Sequence, residues 1–269
     1  ALNSRLVDKD LRGTPTTLSI DSRVQAALES ELQGAMISTQ SRGAAGIILD
    51  VQTGEVMALA SLPMFDPNKI RRASMKHQNN EVTQSVFELG STFKPLTVAA
   101  ALDAGTVTDL AVRYNAMEPV KVGGFTIKDD HSQGRYLNVP ETLVHSSNIV
   151  TARIADNLGK EAMENMFRRL GFDERPHIEL VEKGHPIWPS NWGRVTNMTV
   201  AYGHGIAVTP LHLASAYAAL VNGGIWRPAT LLKVEPGKEA KGRRVFKAAT
   251  SARMRQLLRM IVADGTGRK

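Results

Sequence analysis

Ser91 and Lys94 stand three positions apart in Glu88-Leu89-Gly90-Ser91-Thr92-Phe93-Lys94-Pro95, a hydroxyl and an amine at the expected start of a helix. At roughly 3.6 residues per turn and about 1.5 Å of rise per residue, the two side chains share one face. A serine hydroxyl is a poor nucleophile until a base takes its proton, and a neutral lysine in a dry pocket is such a base. Gly90 permits a tight turn before the helix, and Pro95 is tolerated only near the first turn. The Ser91 N–H then lies at the helix mouth, where amide donors and the dipole favour a developing oxyanion. The plainer assignment, an N-cap serine and a solvated lysine, is the commoner fate of both residue types. Against it stand the single occurrence of Ser-x-x-Lys and the apolar Leu96, Val98, Ala99, Ala100 and Leu102, which would bury the helix and lower the Lys94 pKa.

The elements around this stretch follow from hydropathy patterning. Residues 1–16 are polar and read as a linker from an upstream domain, with the folded domain running over 17–269. Thr17 to Ile20 alternates like a short strand. Asp21 or Ser22 then caps a helix carrying Val24, Ala27, Leu28 and Leu32, with Gly34 as its expected end. Ala45 to Val51 and Glu55 to Ala60 flank Gln52-Thr53-Gly54 as a hairpin whose apolar arms predict cover on both faces. Pro63 to Gln84 is polar and irregular, expected to be mobile and outside the packed core.

After the Ser91 helix, Gly105 to Gly134 has the pattern of short strands and turns. Asp129 and His131 within it could be half a triad, although a turn held by side-chain hydrogen bonds is the commoner arrangement. Helices are expected over Pro140–His145, Ile149–Leu158, Lys160–Leu170, the stretch between Thr209-Pro210 and Asn222-Gly223, and from about Ser251 to Gly265. Ser146-Ser147-Asn148 interrupts two of them and reads as a turn facing a cleft.

The chain has 269 residues, 42% of them hydrophobic and 22% charged, enough to bury a sizeable core. Its formal net charge of +7 comes with Phe246 as the one aromatic in the basic stretch Lys233 to Arg259, which speaks against a nucleic-acid groove and leaves open a basic face beside anionic lipid or cell-wall polymer, a solvated surface being the commoner arrangement. There is no cysteine, and no two histidines lie three to five apart, so no metal and no cofactor are expected.

Ser91-Thr92-Phe93-Lys94 followed by Ser146-Ser147-Asn148 resembles the first two signature motifs, Ser-x-x-Lys and Ser-x-Asn, of penicillin-binding proteins and serine β-lactamases. The flanking Gly90 and Pro95, the Thr53-Gly54 hairpin and Tyr202-Gly203-His204-Gly205-Ile206-Ala207-Val208-Thr209-Pro210 are similar to the class B penicillin-binding proteins, monofunctional peptidoglycan D,D-transpeptidases. That resemblance covers nearly everything from residue 17 onward. It implies an α+β fold, an antiparallel sheet packed by helices with a mostly helical subdomain.

It also implies roles. Ser91 would attack the carbonyl between two D-alanines of a stem peptide, and Lys94 would take its proton. Ser146 would relay a proton to the leaving amine, and Asn148 would bond substrate and help hold Lys94. Thr92, Tyr202 and Gly203 would contact substrate, and Ser147, the middle residue, would do so too unless it supports the turn, the reading its place favours. The implied partners are peptidoglycan stem peptides, β-lactam antibiotics, a membrane glycosyltransferase and division or elongation proteins. The implied location is the periplasmic face of the bacterial inner membrane, with the anchor outside this chain.

The third motif of the family, Lys-Thr-Gly or Lys-Ser-Gly, is absent, because no lysine is followed by Ser or Thr. Asp264-Gly265-Thr266-Gly267 does not replace it. The expectation is therefore a transpeptidase domain that stops before its last strands and terminal helix. A β-lactam sensor domain and a non-catalytic scaffold of the same fold stay open as alternatives, whereas the Glu-x-x-Leu-Asn of class A β-lactamases is not present.

Overall fold

The computed structural model describes residues 15–66, 68–69 and 78–268. Residues 1–14 of the expected linker therefore lie outside the described residues. Helix α1 (Ser22–Thr39) is capped by Asp21, whose carboxylate accepts the Arg23 N–H. The expected stop at Gly34 is not used. One interior glycine costs only about 1 kcal/mol relative to alanine, and the helix runs on until Gln40 takes a left-handed C-cap at φ 54°.

Strands β1 (Ala44–Leu49) and β2 (Val56–Leu62) form the expected antiparallel hairpin, with Gly46 opposite Ala60 and Ile47 opposite Leu59. Alternation sends successive side chains to opposite faces. Ala45, Ile47 and Leu49 join Val82 and Leu211 in one apolar cluster. Gly46 turns to α1, where a Cβ would stand 2.8 Å from Leu28 Cδ1. Both faces are covered, as the apolar arms predicted. The outer edge of β2 is covered too: the Gln25 amide of α1 donates to Leu59 O and accepts the Leu59 N–H, each at 2.9 Å, as a neighbouring strand would. Among the described residues β1 pairs with β2 alone.

The stretch after β2 is mostly exposed where described up to Asn79, as expected for a loop outside the core, and departs from that expectation at its end. Val82 and Thr83 are fully buried, and the Thr83 hydroxyl donates to Glu182 O at 3.2 Å. The loop thus returns into the core before the chain reaches Ser91, because Val82 completes the apolar layer under the hairpin. Residues 67 and 70–77, which carry the rest of the mobility expectation, lie outside the described residues.

A short 3-10 helix, Gly90–Phe93, leads into α2 (Lys94–Ala104). The first eight residues of α2, Lys94 to Ala101, are buried. Its small side chains Ala99, Ala100 and Ala101 let neighbouring helices approach closely, and Phe93 packs with Phe167 and Phe172 at centroid distances of 5.5 and 5.4 Å. Burying a phenylalanine is worth roughly 2–3 kcal/mol, so Phe93 pins the serine turn to the core. Short strands follow as expected: β3 (Tyr114–Asn115), β4 (Val120–Val122), β5 (Phe125–Ile127) and β6 (Tyr136–Leu137), paired β3–β6 and β4–β5.

Helices α3 (Val139–Val144), α4 (Asn148–Leu158) and α5 (Lys160–Arg169) stand where periodicity placed them. Helix α6 (Arg194–Val200) has no such signal, since its residues are mostly β-branched or polar. Helix α7 (Pro210–Val221) starts on a Thr209 cap with His212 reciprocating, then come β7 (Ile225–Trp226), β8 (Arg243–Arg244) and α8 (Ala248–Asp264). Helix α2 is flanked by α4, α5, α7 and α8.

Seven cations and no carboxylate lie between Glu239 and Asp264, while Lys and Arg in the rest of the chain equal its 26 acids in number. Four of the seven address helix C-termini. Lys247 Nζ donates to Asp103 O of α2 at 2.7 Å, Arg243 Nε to Arg169 O of α5 at 2.7 Å, and Arg255 Nη1 to Val221 O of α7 at 2.9 Å. Arg244 Nη1 reaches Gly223 O just beyond α7 at 2.9 Å. Terminal carbonyls lack intrahelical partners and carry the negative end of the dipole, so these cations have partners without drawing on acids from their own stretch of chain.

Candidate active site

The 3-10 turn fixes the relation of Ser91 to Lys94. Residues i and i+3 eclipse in this geometry, and the Lys94 N–H donates to Ser91 O, so both side chains rise on one side of the turn. Ser91 is exposed and Lys94 is only 2% exposed. Among the described residues no backbone carbonyl takes the Ser91 N–H, which leaves that donor free at the helix mouth.

Lys94 Nζ donates to both Ser146 O and Ser146 Oγ, the latter at 2.8 Å. Burial pushes its pKa down from 10.5 to about 8, and the Asp129 and Asp130 carboxylates draw it partly back up. Ser146 receives the amine in a left-handed conformation, φ 55°, which a non-glycine residue adopts only when its surroundings impose it. Those surroundings are visible. Ser146 N donates to Leu143 O, and Ser147 N to Thr142 O at 2.9 Å, so the turn is fastened to the end of α3.

Ser147 faces inward instead of toward a cleft, at 1% exposure. Its hydroxyl donates to Asp129 Oδ2 at 2.7 Å and accepts the Val150 N–H at 3.1 Å as the N-cap of α4. Of the two readings of Ser147, support of the turn is the one this geometry matches; the hydroxyl has no capacity pointed outward. Asp129 Oδ1 accepts the Ile149 N–H at 2.9 Å, so one carboxylate ties the β5 loop to the start of α4 and holds Ser146 between them. Neither the triad nor the local turn expected of Asp129 and His131 describes this long-range contact. Asn148 donates to Lys128 O at 3.0 Å; among the described residues it makes no hydrogen bond to Lys94.

The remaining expected contacts lie around the serine turn. Thr92 is exposed, with its hydroxyl on Leu89 O at 2.8 Å. Tyr202 is half-buried against the Val122, Ile127 and Met198 cluster. Gly203, at φ +80°, presses its backbone on the turn itself: a Cβ there would stand 2.3 Å from Gly90 O. Two residues of this region carry no signal in the sequence. Tyr217 OH of α7 donates to Thr92 O at 2.9 Å, and Glu88 Oε1 accepts the Gly205 N–H at 3.0 Å. Among the described residues no group of three or more His, Asp or Glu could hold a metal, and no helix is long and apolar enough to cross a membrane.

The frame is α+β, and on it stand an exposed serine at a helix mouth, a buried amine one 3-10 turn away and a left-handed serine bonded to that amine. A family profile described as "Penicillin binding protein transpeptidase domain" matches residues 44–269, and the chain belongs to that family. It is similar to the "Probable peptidoglycan D,D-transpeptidase FtsI" of Caulobacter vibrioides, 43% identical over 95% of this chain and 43% of the relative. The "Peptidoglycan D,D-transpeptidase FtsI" of Escherichia coli K12 is 32% identical over 93% of this chain and 42% of its own length. In solved structures the chain resembles the TP domain of Burkholderia pseudomallei penicillin-binding protein 3, with a TM-score of 0.83, 31% identity and coverage of 95% of this chain and 73% of that one. The chain thus spans about two fifths of the length of these curated relatives.

Proposed function

We propose that this chain carries the acylating half-site of a peptidoglycan D,D-transpeptidase. The observation behind the reading is the buried Lys94 amine on Ser146, one turn from an exposed Ser91. Neutral Lys94 takes the Ser91 Oγ proton as the oxygen adds to the carbonyl between two D-alanines, and the Ser91 N–H faces the developing oxyanion. The C–N bond then breaks, and the proton held by Lys94 passes through Ser146 Oγ to the departing D-alanine amine. An amine of a neighbouring stem peptide attacks the resulting ester, returns a proton to the same relay and frees Ser91. Asn148 and Tyr202 flank the substrate path in this scheme, and Thr92 and Gly203 shape its floor. β-Lactams, whose strained amide imitates the same bond, acylate Ser91 and stop there.

The names of the relatives support the substrate class, and that substrate sets the rest of the proposal: action at the periplasmic face of the inner membrane, beside a glycosyltransferase and the proteins of division or elongation. The test is mass spectrometry after exposure to penicillin, on this chain and on an extended polypeptide bearing Lys-Thr-Gly. One adduct on Ser91, abolished by Ser91→Ala, is expected. An adduct elsewhere, or none on either polypeptide, would overturn the proposal in favour of a non-catalytic scaffold.

A further inference from the structure

Among the described residues the segment that delivers Ser91 is fastened to residues 203–208 by backbone bonds only as far as Phe87, whose N–H and C=O both pair with Val208 at 3.0 Å in an isolated bridge. Beyond Phe87 the chain must still turn through Gly90, at φ +56°, before α2 begins. Two contacts span that gap. One is the bare backbone approach of Gly203 to Gly90. The other is Glu88, whose carboxylate bridges two consecutive residues opposite: Oε1 accepts the Gly205 N–H at 3.0 Å, and Oε2 lies 3.4 Å from His204 Nδ1, an ion pair when the imidazole is protonated. Gly205 is itself left-handed at φ +81°, so its N–H is presented by a turn that only glycine makes cheaply.

We infer that Glu88 is a positioning residue for Ser91, a strap that fixes the pitch of the nucleophile turn by holding it to the Gly203–Gly205 turn. The inference rests on the acyl-transfer reading above for its effect on rate, but not for the strap itself. Glu88 touches neither Ser91 Oγ nor Lys94, so its action is on placement. Displacement of a reacting group by about 1 Å can cost on the order of 100-fold in rate, and Gly90 has no side chain with which to resist it. An exposed ion pair contributes little by itself; the N–H bond to Gly205 is the part that restrains geometry, and an amide oxygen can accept it as a carboxylate does.

That distinction supplies the experiment. Glu88→Gln keeps the acceptor for Gly205 and loses the charge, while Glu88→Ala loses both. Both variants and the parent are followed by hydrogen exchange over residues 88–93 and by the acylation rate constant with a fluorescent penicillin, measured separately from initial penicillin affinity. Glu88→Ala should exchange faster in that segment and acylate about tenfold or more slowly with unchanged affinity, and Glu88→Gln should restore both to near the parental values. Equal exchange in Glu88→Ala and parent, or Glu88→Gln behaving as Glu88→Ala, would overturn the strap. If the parent acylates on Ser91 and the strap fails, acyl transfer stands alone. If the parent is not acylated, that reading fails and the exchange comparison still decides the strap.

Discussion

The Lys94 amine makes the proton inventory of the site measurable. With a pKa of about 8, about 9% of Lys94 is neutral at pH 7, against about 0.03% at the ordinary value, a gain of roughly 300-fold in available base. Acylation should therefore rise close to tenfold per pH unit from pH 6 to 7, pass its midpoint near 8 and level off by pH 9, a total change of about 90-fold. The same burial has a signature in stability. Because the folded-state value lies below that of the unfolded chain, the unfolded chain binds more protons between about pH 8 and 10.5, and stability attributable to this group rises across that window by about 3 kcal/mol. Lys94→Met should remove that rise, and Asp130→Asn should move the acylation midpoint lower, since Asp130 holds the ammonium form. The assays are stopped-flow acylation with a fluorescent penicillin between pH 6 and 10 and thermal melts of parent and Lys94→Met over the same range. A rate that is flat from pH 6 to 9, or that turns near 10.5, refutes the reasoning that burial makes Lys94 the base.

Ser147→Ala should cost about 1–3 kcal/mol by leaving Asp129 Oδ2 without its hydroxyl donor and uncapping α4, seen in denaturant melts, and should slow acylation as the start of α4 beside Ser146 loosens. Gly203→Ala places a Cβ 2.3 Å from Gly90 O, so acylation should fall at least about tenfold as the serine turn shifts; an unchanged rate would mean the turn accommodates freely. His212 is buried with its pKa lowered to about 4, and its Nε2 meets Glu174 O at 3.0 Å while Nδ1 lies 3.2 Å from Thr209 N. Its contribution is therefore present above about pH 6.5 and lost as pH falls toward 4, by about 3 kcal/mol in all; melts of His212→Gln should lack that dependence.

Much of the frame was legible in the residues. Thr209-Pro210 and Asn222-Gly223 marked the ends of α7 because capping chemistry is local, and the Ser91–Lys94 spacing implied a shared face whether the turn was α or 3-10. Gly34 misled because one glycine penalty is smaller than the hydrogen bonds of a continuing helix. Helix α6 was invisible because its helicity comes from packing against α4 and not from propensity. At the site, Ser91, Lys94 and Ser146 were readable as types in order. The pairing of Lys94 with Ser146, the left-handed Ser146 and the Asp129 tie across 18 and 20 residues were not, since each is a tertiary contact without local pattern.

The cations that close the C-termini of α2, α5 and α7 have a consequence for how the molecule responds to acid. Arginine stays protonated throughout the accessible range and a carbonyl oxygen has nothing to titrate, so Arg243, Arg244 and Arg255 keep their partners at a pH where carboxylates have been neutralised. Elsewhere ties are acidic: Glu141 with Arg113 and Arg135 on the β3–β6 side, and Asp156 with Arg194 between α4 and α6. Acidification therefore takes away these ties and charges His212 in α7, while the arginine–carbonyl bonds persist. The Glu141 and Asp156 ties beside α3 and α4 should then part before the arginine-held ends of α5 and α7.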